Sequence, residues 1–344
     1  YLIKSEHASM KFNLKFLVIR FSSIGDIVLT TSLLKSIKTT YKNVEIHYLT
    51  LDKFSSMLEI HPNIDRIIVL NSDSGSTELM QLNRYIKLSE YDKVFDLHGS
   101  IRSRIVTLGL SKITTRVKKP RISRFFLYQF HINMFPKKYS AQAMYHQCLQ
   151  GYDMASIPDT LLVVSNAEKR LARSILKENE IDSNFIVMVP GAAWPQKQWQ
   201  AEKYSIVINE LNRLTNKKII MLGTKNDEIC KDISLINDSV VDYSGKTDLR
   251  QAMAVISLSD SVFGSDTGLL HIAEALGKHV SMILGPTSTE TGGGVSLKES
   301  INIETNIWCR PCSQNGKQKC YRTRQYCMEL ISTDMVTNSV IERA

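Results

Sequence analysis

The sequence lacks the patterns by which several common protein classes are recognised. It has no run of about 18 apolar residues, which a membrane-spanning helix needs. It contains neither the G-x-G-x-x-G fingerprint of dehydrogenases nor the phosphate loop of P-loop NTPases. No D-x-D pair is present to hold a catalytic metal, and short tandem repeats are absent. We therefore expect neither a nicotinamide dehydrogenase nor a P-loop NTPase.

The N-terminal stretch lacks the charged and then apolar pattern of a secretion signal. Residues 1–9, which precede Met10, are left out of the fold prediction as a loose extension. Together with the missing apolar run, this pattern predicts a cytosolic protein.

What the sequence does contain is an alternation of strand-like and helix-like segments. The apolar run FLVIRF is followed by IVLTTSLLKSIKTT, which has helical spacing, and a comparable alternation starts again after about residue 165. Such an order predicts an α/β fold with two doubly wound parallel sheets. Pro158 lies near the junction. We expect domains over residues 11–160 and 161–328, and a C-terminal helix over 329–344 that packs back on the first domain.

The formal net charge of +9 favours an anionic partner. Between residues 102 and 138 stand Arg102, Arg104, Lys112, Arg116, Lys118, Lys119, Arg121, Arg124, Lys137 and Lys138. The aromatic stretch RFFLYQFHINMF interrupts this run, and the mixture suits an amphipathic anionic molecule or a bilayer surface. Simple solubility is the alternative. The chain has no evident nucleic-acid-binding motif, so we expect no nucleic-acid partner.

Three stretches share one design, in which a strand ends, small residues follow and a helix begins. They are SSIGD (22–26), GAAWPQKQW (191–199) and GSDTGLLH (264–271). The free N–H groups at such helix starts attract anions, so two of them in the second half predict a diphosphate site.

The charged residues in these stretches each allow two interpretations. Asp26 is either a cap for a helix beginning at Ile27 or a general base. Asp266 is either a helix cap or a ligand contact. Lys197 is either a solvated surface charge or a cation that neutralises a departing phosphate. His271 follows Gly268 by about one helical turn and so shares its face.

The same stretches, with FDLHGSIRSRI, resemble glycosyltransferase family 9, the ADP-heptose:lipopolysaccharide heptosyltransferases. The resemblance covers almost the whole chain from Lys11. It implies a GT-B fold, in which two Rossmann-like domains face each other across a cleft. It also implies an inverting transfer that needs no catalytic metal or other cofactor.

The resemblance assigns roles to individual residues. Asp26 matches the family's general base and Lys197 its leaving-group lysine. The donor contacts implied are Ala192, Ala193, Glu228, Thr247, Asp266, Thr267, Gly268 and His271. The two alanines replace hydroxyl residues found in relatives, so their backbone N–H groups alone remain to bind phosphate. Acceptor contacts are expected at Ser23, Gly25, His98 and Arg102.

The C-terminal region carries cysteines in a C-x2-C-x7-C-x6-C pattern. They are Cys309, Cys312, Cys320 and Cys327. Structural zinc, two disulfides and free thiols are the three interpretations left open.

The function expected from these features is the transfer of heptose from ADP-heptose to a hydroxyl of the lipopolysaccharide inner core. The partners would be the donor, an anionic lipopolysaccharide core precursor and the anionic cytoplasmic face of the inner membrane. Two alternatives remain: a GT-B transferase for another nucleotide sugar, and an inactive nucleotide-sugar-binding protein.

Overall fold

The computed structural model describes residues 14–137, 139–181 and 184–343. Lys11, where the resemblance begins, and Lys138 of the basic stretch lie outside these ranges. The chain divides into two compact units. The first contains the chain up to Lys119 together with Ala141–Val163, and the second contains Pro120–Ser140 together with the chain from Val164 onward. The basic and aromatic stretch is therefore shared between the two units.

The first unit is built on a five-stranded sheet. Its strands are β1 (Leu14–Ile19), β2 (Val44–Leu51), β3 (Arg66–Leu70), β4 (Lys93–Asp96) and β5 (Thr114–Arg116). Its helices are α1 (Ile24–Thr40), α2 (Asp52–Ser55), α3 (Ser76–Leu88), α4 (Ile101–Val106) and, after the inserted segment, α6 (Ala141–His146).

The second unit is built on a six-stranded sheet. The inserted segment provides α5 (Arg121–Phe130). The strands are β6 (Phe185–Val189), β7 (Lys218–Met221), β8 (Val240–Asp242), β9 (Ser261–Ser265), β10 (His279–Ile283) and β11 (Ile301–Ile303). The remaining helices are α7 (Asn166–Lys177), α8 (Ala201–Thr215), α9 (Glu228–Ile236), α10 (Leu249–Leu258), α11 (Gly268–Ala275), α12 (Tyr326–Glu329) and α13 (Thr333–Ile341). Across the described ranges, no helix combines the length and the apolar character needed to cross a membrane.

Both sheets are parallel and doubly wound, as the sequence predicts. The strand order is β3-β2-β1-β4-β5 in the first unit and β11-β10-β9-β6-β7-β8 in the second. The apolar strand runs arise because helices cover both faces of such a sheet. In each sheet the winding reverses once, between β1 and β4 and between β6 and β9. Ligands bind at such switch points, beyond the carboxyl ends of the strands.

Each unit has its own core. In the first, Leu17, Leu49, Leu82 and Val94 belong to one buried cluster. In the second, residues of β6, β7 and α8 pack with Val336 and Val340 of α13. The final helix begins at Thr333, and the Ser332 hydroxyl caps it by accepting a hydrogen bond from the Met335 N–H. The sequence predicts that this helix packs on the first domain, whereas its buried face packs in the core of the second unit.

One glycine determines how closely the two central strands of the second sheet approach. Gly264 of β9 is paired with Val189 of β6. Its φ is +153°, a conformation that side chains rarely adopt, and an added Cβ would overlap the Val189 carbonyl oxygen. The switch point of this sheet therefore depends on the absence of a side chain at residue 264.

We expect Gly264→Ala to destabilise the protein by about 3 kcal/mol or more, because strain and steric overlap add at this position. Gly277→Ala is the matched control, since Gly277 has a φ of +77° but no atom within 4 Å of an added Cβ. The control should lose only about 1 kcal/mol. Urea unfolding measures both values, and equal losses would contradict the steric argument.

Candidate functional site

The polar residues singled out in the sequence gather beyond the carboxyl ends of the strands in both units. In the first unit, Asp26 follows β1 and His98 follows β4, the two strands that flank the switch point. In the second unit, Lys197 follows β6 and Asp266 follows β9, which flank the other switch point. Each unit therefore has one candidate site, and each site is described by itself.

The candidate site of the first unit is centred on an ion pair. The Arg20 Nη2 lies 2.6 Å from Asp26 Oδ2, and the Asp26 side chain is 38% exposed. Arg20 itself is buried, and its Nη1 donates to the Leu97 carbonyl oxygen at 2.7 Å. The Tyr145 hydroxyl donates to Asp26 Oδ1 at 3.0 Å. Strand β1, helix α6 and the end of β4 thus hold one carboxylate in place.

Asp26 also serves the start of α1, although not as predicted. The helix begins at Ile24 rather than Ile27, so Asp26 lies in its first turn. Its Oδ2 accepts hydrogen bonds from the Ser23 N–H at 3.3 Å and from the Ser23 hydroxyl at 3.0 Å. The capping interpretation is correct to that extent. Oδ1 accepts from Tyr145, and a carboxylate oxygen has room for a second donor.

The electrostatic surroundings keep this carboxyl ionised. Burial alone would raise the pKa of Asp26, but the Arg20 charge and the hydrogen bonds from Ser23 and Tyr145 outweigh it. The pKa of Asp26 is therefore below its ordinary value. Burial next to Asp26 raises the pKa of Tyr145 well above its ordinary value, so this phenol remains a donor.

The expected acceptor contacts lie around the same switch point. The His98 ring contacts the buried Phe21 ring edge to face, with 5.0 Å between centroids. The Arg102 guanidinium lies 5.9 Å from the centroid of the same Phe21 ring. Burial, with the nearby charges of Arg20 and Lys119, lowers the pKa of His98 to about 4. His98 is therefore neutral near pH 7, and its Nδ1 has no hydrogen-bond partner among the described residues.

Arg102 is partly engaged by the protein itself. Its Nη2 donates to the carbonyl oxygens of Ser72 and Ser74, each at 3.3 Å. It therefore ties the loop after β3 to α4, while its other N–H groups retain donor capacity. Gly25 is buried in the first turn of α1, and Ser23 is exposed.

The candidate site of the second unit is centred on another ion pair. Lys197 Nζ lies 2.6 Å from Asp266 Oδ2, and the two side chains are 14% and 12% exposed. The Thr287 hydroxyl donates to the same Oδ2 at 2.9 Å. Burial would raise the pKa of Asp266, but the Lys197 charge and hydrogen bonds hold it below its ordinary value. The two residues that the sequence treated separately are thus direct partners.

Helix α11 begins at this pair and points its free N–H groups toward the switch point. Thr267 is its N-terminal cap residue and Gly268 its first residue. His271, one turn further, is 8% exposed, and its Nδ1 has no hydrogen-bond partner among the described residues. A buried and unpaired ring nitrogen beside free N–H groups fits a site for a polar ligand.

The remaining predicted donor contacts lie along the same sheet edge. Ala192 is buried and Ala193 is exposed in the loop after β6. Glu228 follows β7 and forms an exposed ion pair with Lys231 at 2.8 Å. Thr247 follows β8 and lines a cavity of about 180 Å³ between α7 and α10. In strand order, these residues and the ion pair form a row from β8 to β9.

The cysteine-bearing region lies beside this second site. All four cysteines are free thiols, with Cys309 and Cys327 buried. Burial and the other three thiols raise the pKa of Cys312 to about 11, so the four side chains lie near one another. Among the described residues, no group of three or more His, Cys, Asp or Glu side chains has the arrangement of a metal site. Structural zinc stays a prediction without support from the structure.

Sequence reasoning missed Arg20, Tyr145 and Thr287. Arg20 carried a usable signal, because a charged residue at the end of the apolar run FLVIRF requires a buried partner. Tyr145 carried none, since it is 119 residues from Asp26 along the chain. Thr287 follows β10, and only the strand order brings it to Asp266.

Comparisons with known proteins find relatives over most of this chain. The sequence matches the family model described as glycosyltransferase family 9 (heptosyltransferase) over residues 79–321. It is 24% identical over 307 residues to lipopolysaccharide heptosyltransferase 1 of Campylobacter coli, covering 84% of this chain and 88% of that protein.

Solved structures share the fold. A glycosyltransferase family 9 structure from Veillonella parvula has a TM-score of 0.79, 20% identity and 98% coverage of both chains. The ADP-heptose lipopolysaccharide heptosyltransferase II of Escherichia coli has a TM-score of 0.70 and 20% identity, covering 96% of this chain and 98% of that one. These matches confirm the predicted GT-B class.

Arg20 is expected to set the pKa of Asp26. In Arg20→Met, burial is no longer opposed by a positive charge, so the pKa of Asp26 should rise by about 1–2 units. Arg20→Lys keeps the charge and should shift it much less. NMR titration of the carboxyl carbon of Asp26 measures both. An unchanged pKa in Arg20→Met would show that Ser23 and Tyr145 suffice.

Proposed function

Because this chain belongs to glycosyltransferase family 9, we propose that it transfers a heptose from ADP-heptose to a hydroxyl of the lipopolysaccharide inner core. The observation that carries the proposal is the Lys197–Asp266 pair beside the free start of α11, at the switch point of the second sheet. Relatives named as heptosyltransferases of lipopolysaccharide, one of them with ADP-heptose in its name, support the donor and the acceptor class. The second unit binds the donor in this proposal, and the first unit binds the acceptor.

The row of residues along the second sheet suits a nucleoside diphosphate sugar. Neighbouring strands lie about 4.8 Å apart, so the step from β8 through β7 and β6 to β9 spans roughly 14 Å. In the proposal, the adenine lies beside Thr247, the ribose beside Glu228 and the diphosphate between Ala192 and Asp266. The Glu228–Lys231 pair is exposed, so exchanging it for a ribose contact costs little.

In the proposal, the diphosphate accepts hydrogen bonds from N–H groups, and the positive charge of Lys197 beside it is already paired with Asp266. A lysine ammonium has three N–H donors. Two of them face Asp266, at Oδ2 and at the carbonyl oxygen 3.4 Å away. The third, with the N–H groups of Gly268 and its neighbours, stabilises the departing phosphate. His271 offers its unpaired nitrogen to the sugar or the phosphate.

In the first unit, Asp26 acts as general base. An acceptor hydroxyl donates to Asp26 Oδ1, its oxygen bonds to the anomeric carbon, and the proton passes to Asp26. The bond from the anomeric carbon to the phosphate oxygen breaks, and ADP leaves from the opposite side. The transfer therefore inverts the anomeric centre. Because the pKa of Asp26 is low, the base is ready at neutral pH.

A transferase for another nucleotide sugar is the alternative within this fold. Ala192 and Ala193 offer only backbone groups to a phosphate, so the side chains of this loop do not specify the donor. Isothermal titration with ADP-heptose and with UDP-sugars separates the two functions. Tighter binding of a UDP-sugar would contradict the proposed donor. An inactive binding protein would bind donor and release no ADP.

We expect Asp26→Asn to lower kcat by about 10²–10⁴-fold, since it removes the general base. The affinity for ADP should stay within about threefold, because Asp26 lies outside the donor unit. Release of ADP measures turnover, and titration measures affinity.

Asp65→Asn is the matched control for this experiment. Asp65 also forms an ion pair, with Lys38 Nζ 2.6 Å from its Oδ2. It precedes β3 and so lies at the amino ends of the strands, whereas Asp26 lies at the carboxyl ends. The control should keep near-normal turnover. Normal turnover in Asp26→Asn would leave Asp26 only its role at the helix start.

Added EDTA should not slow turnover by the wild-type protein, because the proposed transfer needs no metal. Metal analysis of the purified protein would detect any zinc bound by the cysteines.

The distribution of charge supports contact with an anionic membrane that carries the acceptor. The sequence contains no acidic residue between Asp96 and Asp153. That stretch holds ten of the 43 Lys and Arg residues, so the rest of the chain is nearly balanced against 34 acidic residues. Helix α5, in the middle of the stretch, exposes Ile122, Phe125 and Phe130 by 70%, 55% and 58%. Exposed aromatic residues beside cations are typical of helices that lie on a bilayer.

Neutralising Lys118, Arg121 and Lys137 to Gln should weaken binding to vesicles with anionic lipid at least tenfold, because each cation near such a surface contributes about 1 kcal/mol. All three side chains are exposed. A variant with Lys42, Lys87 and Lys177 changed to Gln carries the same loss of charge at exposed sites elsewhere. Co-sedimentation at low and high salt measures binding. An equal loss of vesicle binding in both variants would show that net charge, rather than this basic stretch, determines binding.

A further inference from the structure

The cysteine-bearing segment Cys309–Cys327 packs directly on the lysine of the donor site. At Gly316, an added Cβ would lie 2.7 Å from Cγ, 3.3 Å from Cδ and 3.4 Å from Cε of Lys197. Gly316 has a φ of +75°, and its N–H donates to the Ser313 hydroxyl at 2.9 Å. The backbone of this turn therefore forms a wall along the aliphatic part of Lys197.

The segment also supports the turn that carries Lys197. Gln325 Nε2 donates to the Gln196 carbonyl oxygen at 2.5 Å. Lys317 Nζ lies 5.5 Å from the centroid of the Trp194 ring, just before that turn. Two residues that follow Gly316 thus contact the turn that carries Lys197.

The same segment also contacts the loop that bonds to Asp266, the partner of Lys197. The N–H groups of Cys312 and Ser313 both donate to the Pro286 carbonyl oxygen at 3.2 Å. Arg310 Nη2 donates to the carbonyl oxygen of Thr287, whose hydroxyl bonds to Asp266. One stretch of chain therefore fixes both members of the ion pair.

Both ends of the segment are anchored in the unit. Cys327 belongs to the hydrophobic core cluster, and Cys309 is buried. The Trp199 ring N–H donates to the Met328 carbonyl oxygen at 3.1 Å, immediately after the segment. Because both ends of the segment are packed in a rigid core, the segment itself can move little and restricts the movement of the Lys197 side chain that it contacts.

We propose that Gly316 is a positioning residue, and that through it the Cys309–Cys327 segment holds the Lys197 ammonium at Asp266. The aliphatic part of the Lys197 side chain occupies the space that a Cβ at residue 316 would fill. The backbone at Gly316 therefore limits the positions that Lys197 Nζ can adopt. This proposal rests on the role given to Lys197 in the proposed transfer. A displacement of about 1 Å at a reacting group can reduce a rate by up to about 10²-fold.

The test compares Gly316→Ala with Gly277→Ala, which imposes a similar backbone strain at a φ of +77° in open space. We expect kcat to fall about 10- to 100-fold in Gly316→Ala and to stay within twofold in Gly277→Ala. The KM for the acceptor should be unchanged in both. A similar kcat in the two variants would overturn the proposal.

A double-mutant cycle shows whether Gly316 acts through the lysine. In Lys197→Ala the aliphatic part of the lysine is absent, so adding Gly316→Ala should change kcat less than twofold. An equal fall in both backgrounds would make Gly316 merely structural and would overturn the proposal. If Gly316→Ala does not fold, Gln325→Leu replaces it in the cycle, with an expected fall of about threefold to tenfold.

A readout independent of turnover separates this proposal from the proposed function. Acetylation of Lys197, followed by mass spectrometry, should be faster in Gly316→Ala than in the wild type, while acetylation of the exposed Lys87 should not change. Unchanged acetylation of Lys197 would overturn the positioning role. Normal turnover in Lys197→Ala would instead overturn the role of the lysine in the proposed function, whatever the acetylation shows.

Discussion

An ion pair at the point where the winding of the sheet reverses is the constraint that both units share. The helices that follow two diverging strands leave a gap at the carboxyl ends of a parallel sheet. Arg20 with Asp26 occupies that position in the first unit, and Lys197 with Asp266 in the second. Removing one partner of a buried pair such as Lys197 with Asp266 typically costs about 3–5 kcal/mol, because the other charge is left unpaired. The cost is smaller for Arg20 with Asp26, because water screens the partly exposed Asp26 carboxylate. The two switch points must therefore stay polar, and they remain able to bind polar ligands.

The protonation of these pairs bears on the type of transfer. In both carboxyls, burial raises the pKa, and the cation together with the hydrogen bonds lowers the pKa by more. A base with a low pKa is always ready but accepts a proton weakly. It suits a reaction in which the bond to the leaving group breaks first, since a hydroxyl that attacks an oxocarbenium-like centre becomes more acidic as its new bond forms. Asp26 thus favours late proton transfer in the proposed mechanism.

The sequence predicted the parts of the fold and site that depend on neighbours along the chain. The parallel sheets and the polar residues Asp26, Lys197 and Asp266 follow from strand ends and the loops after them. Helix α1 begins three residues before its predicted start, because Ser23 and Asp26 rather than apolar periodicity stabilise its first turn. Contacts between distant segments, such as Tyr145 with Asp26, depend on packing that no local pattern encodes. The same limit applies to α5, which the sequence predicts in the first domain and which belongs to the second unit.

The pairing of Lys197 with Asp266 separates donor binding from catalysis in the proposed transfer. While the donor is intact, the ammonium is shared with a carboxylate only 2.6 Å away, so its attraction for the diphosphate is partly offset. As the glycosidic bond breaks, negative charge grows on the departing phosphate oxygen, and the same ammonium interacts with it more strongly. An interaction that strengthens in the transition state raises kcat rather than lowering KM. In the proposed transfer, Asp266 therefore contributes to catalysis by limiting how tightly Lys197 binds the diphosphate of the intact donor.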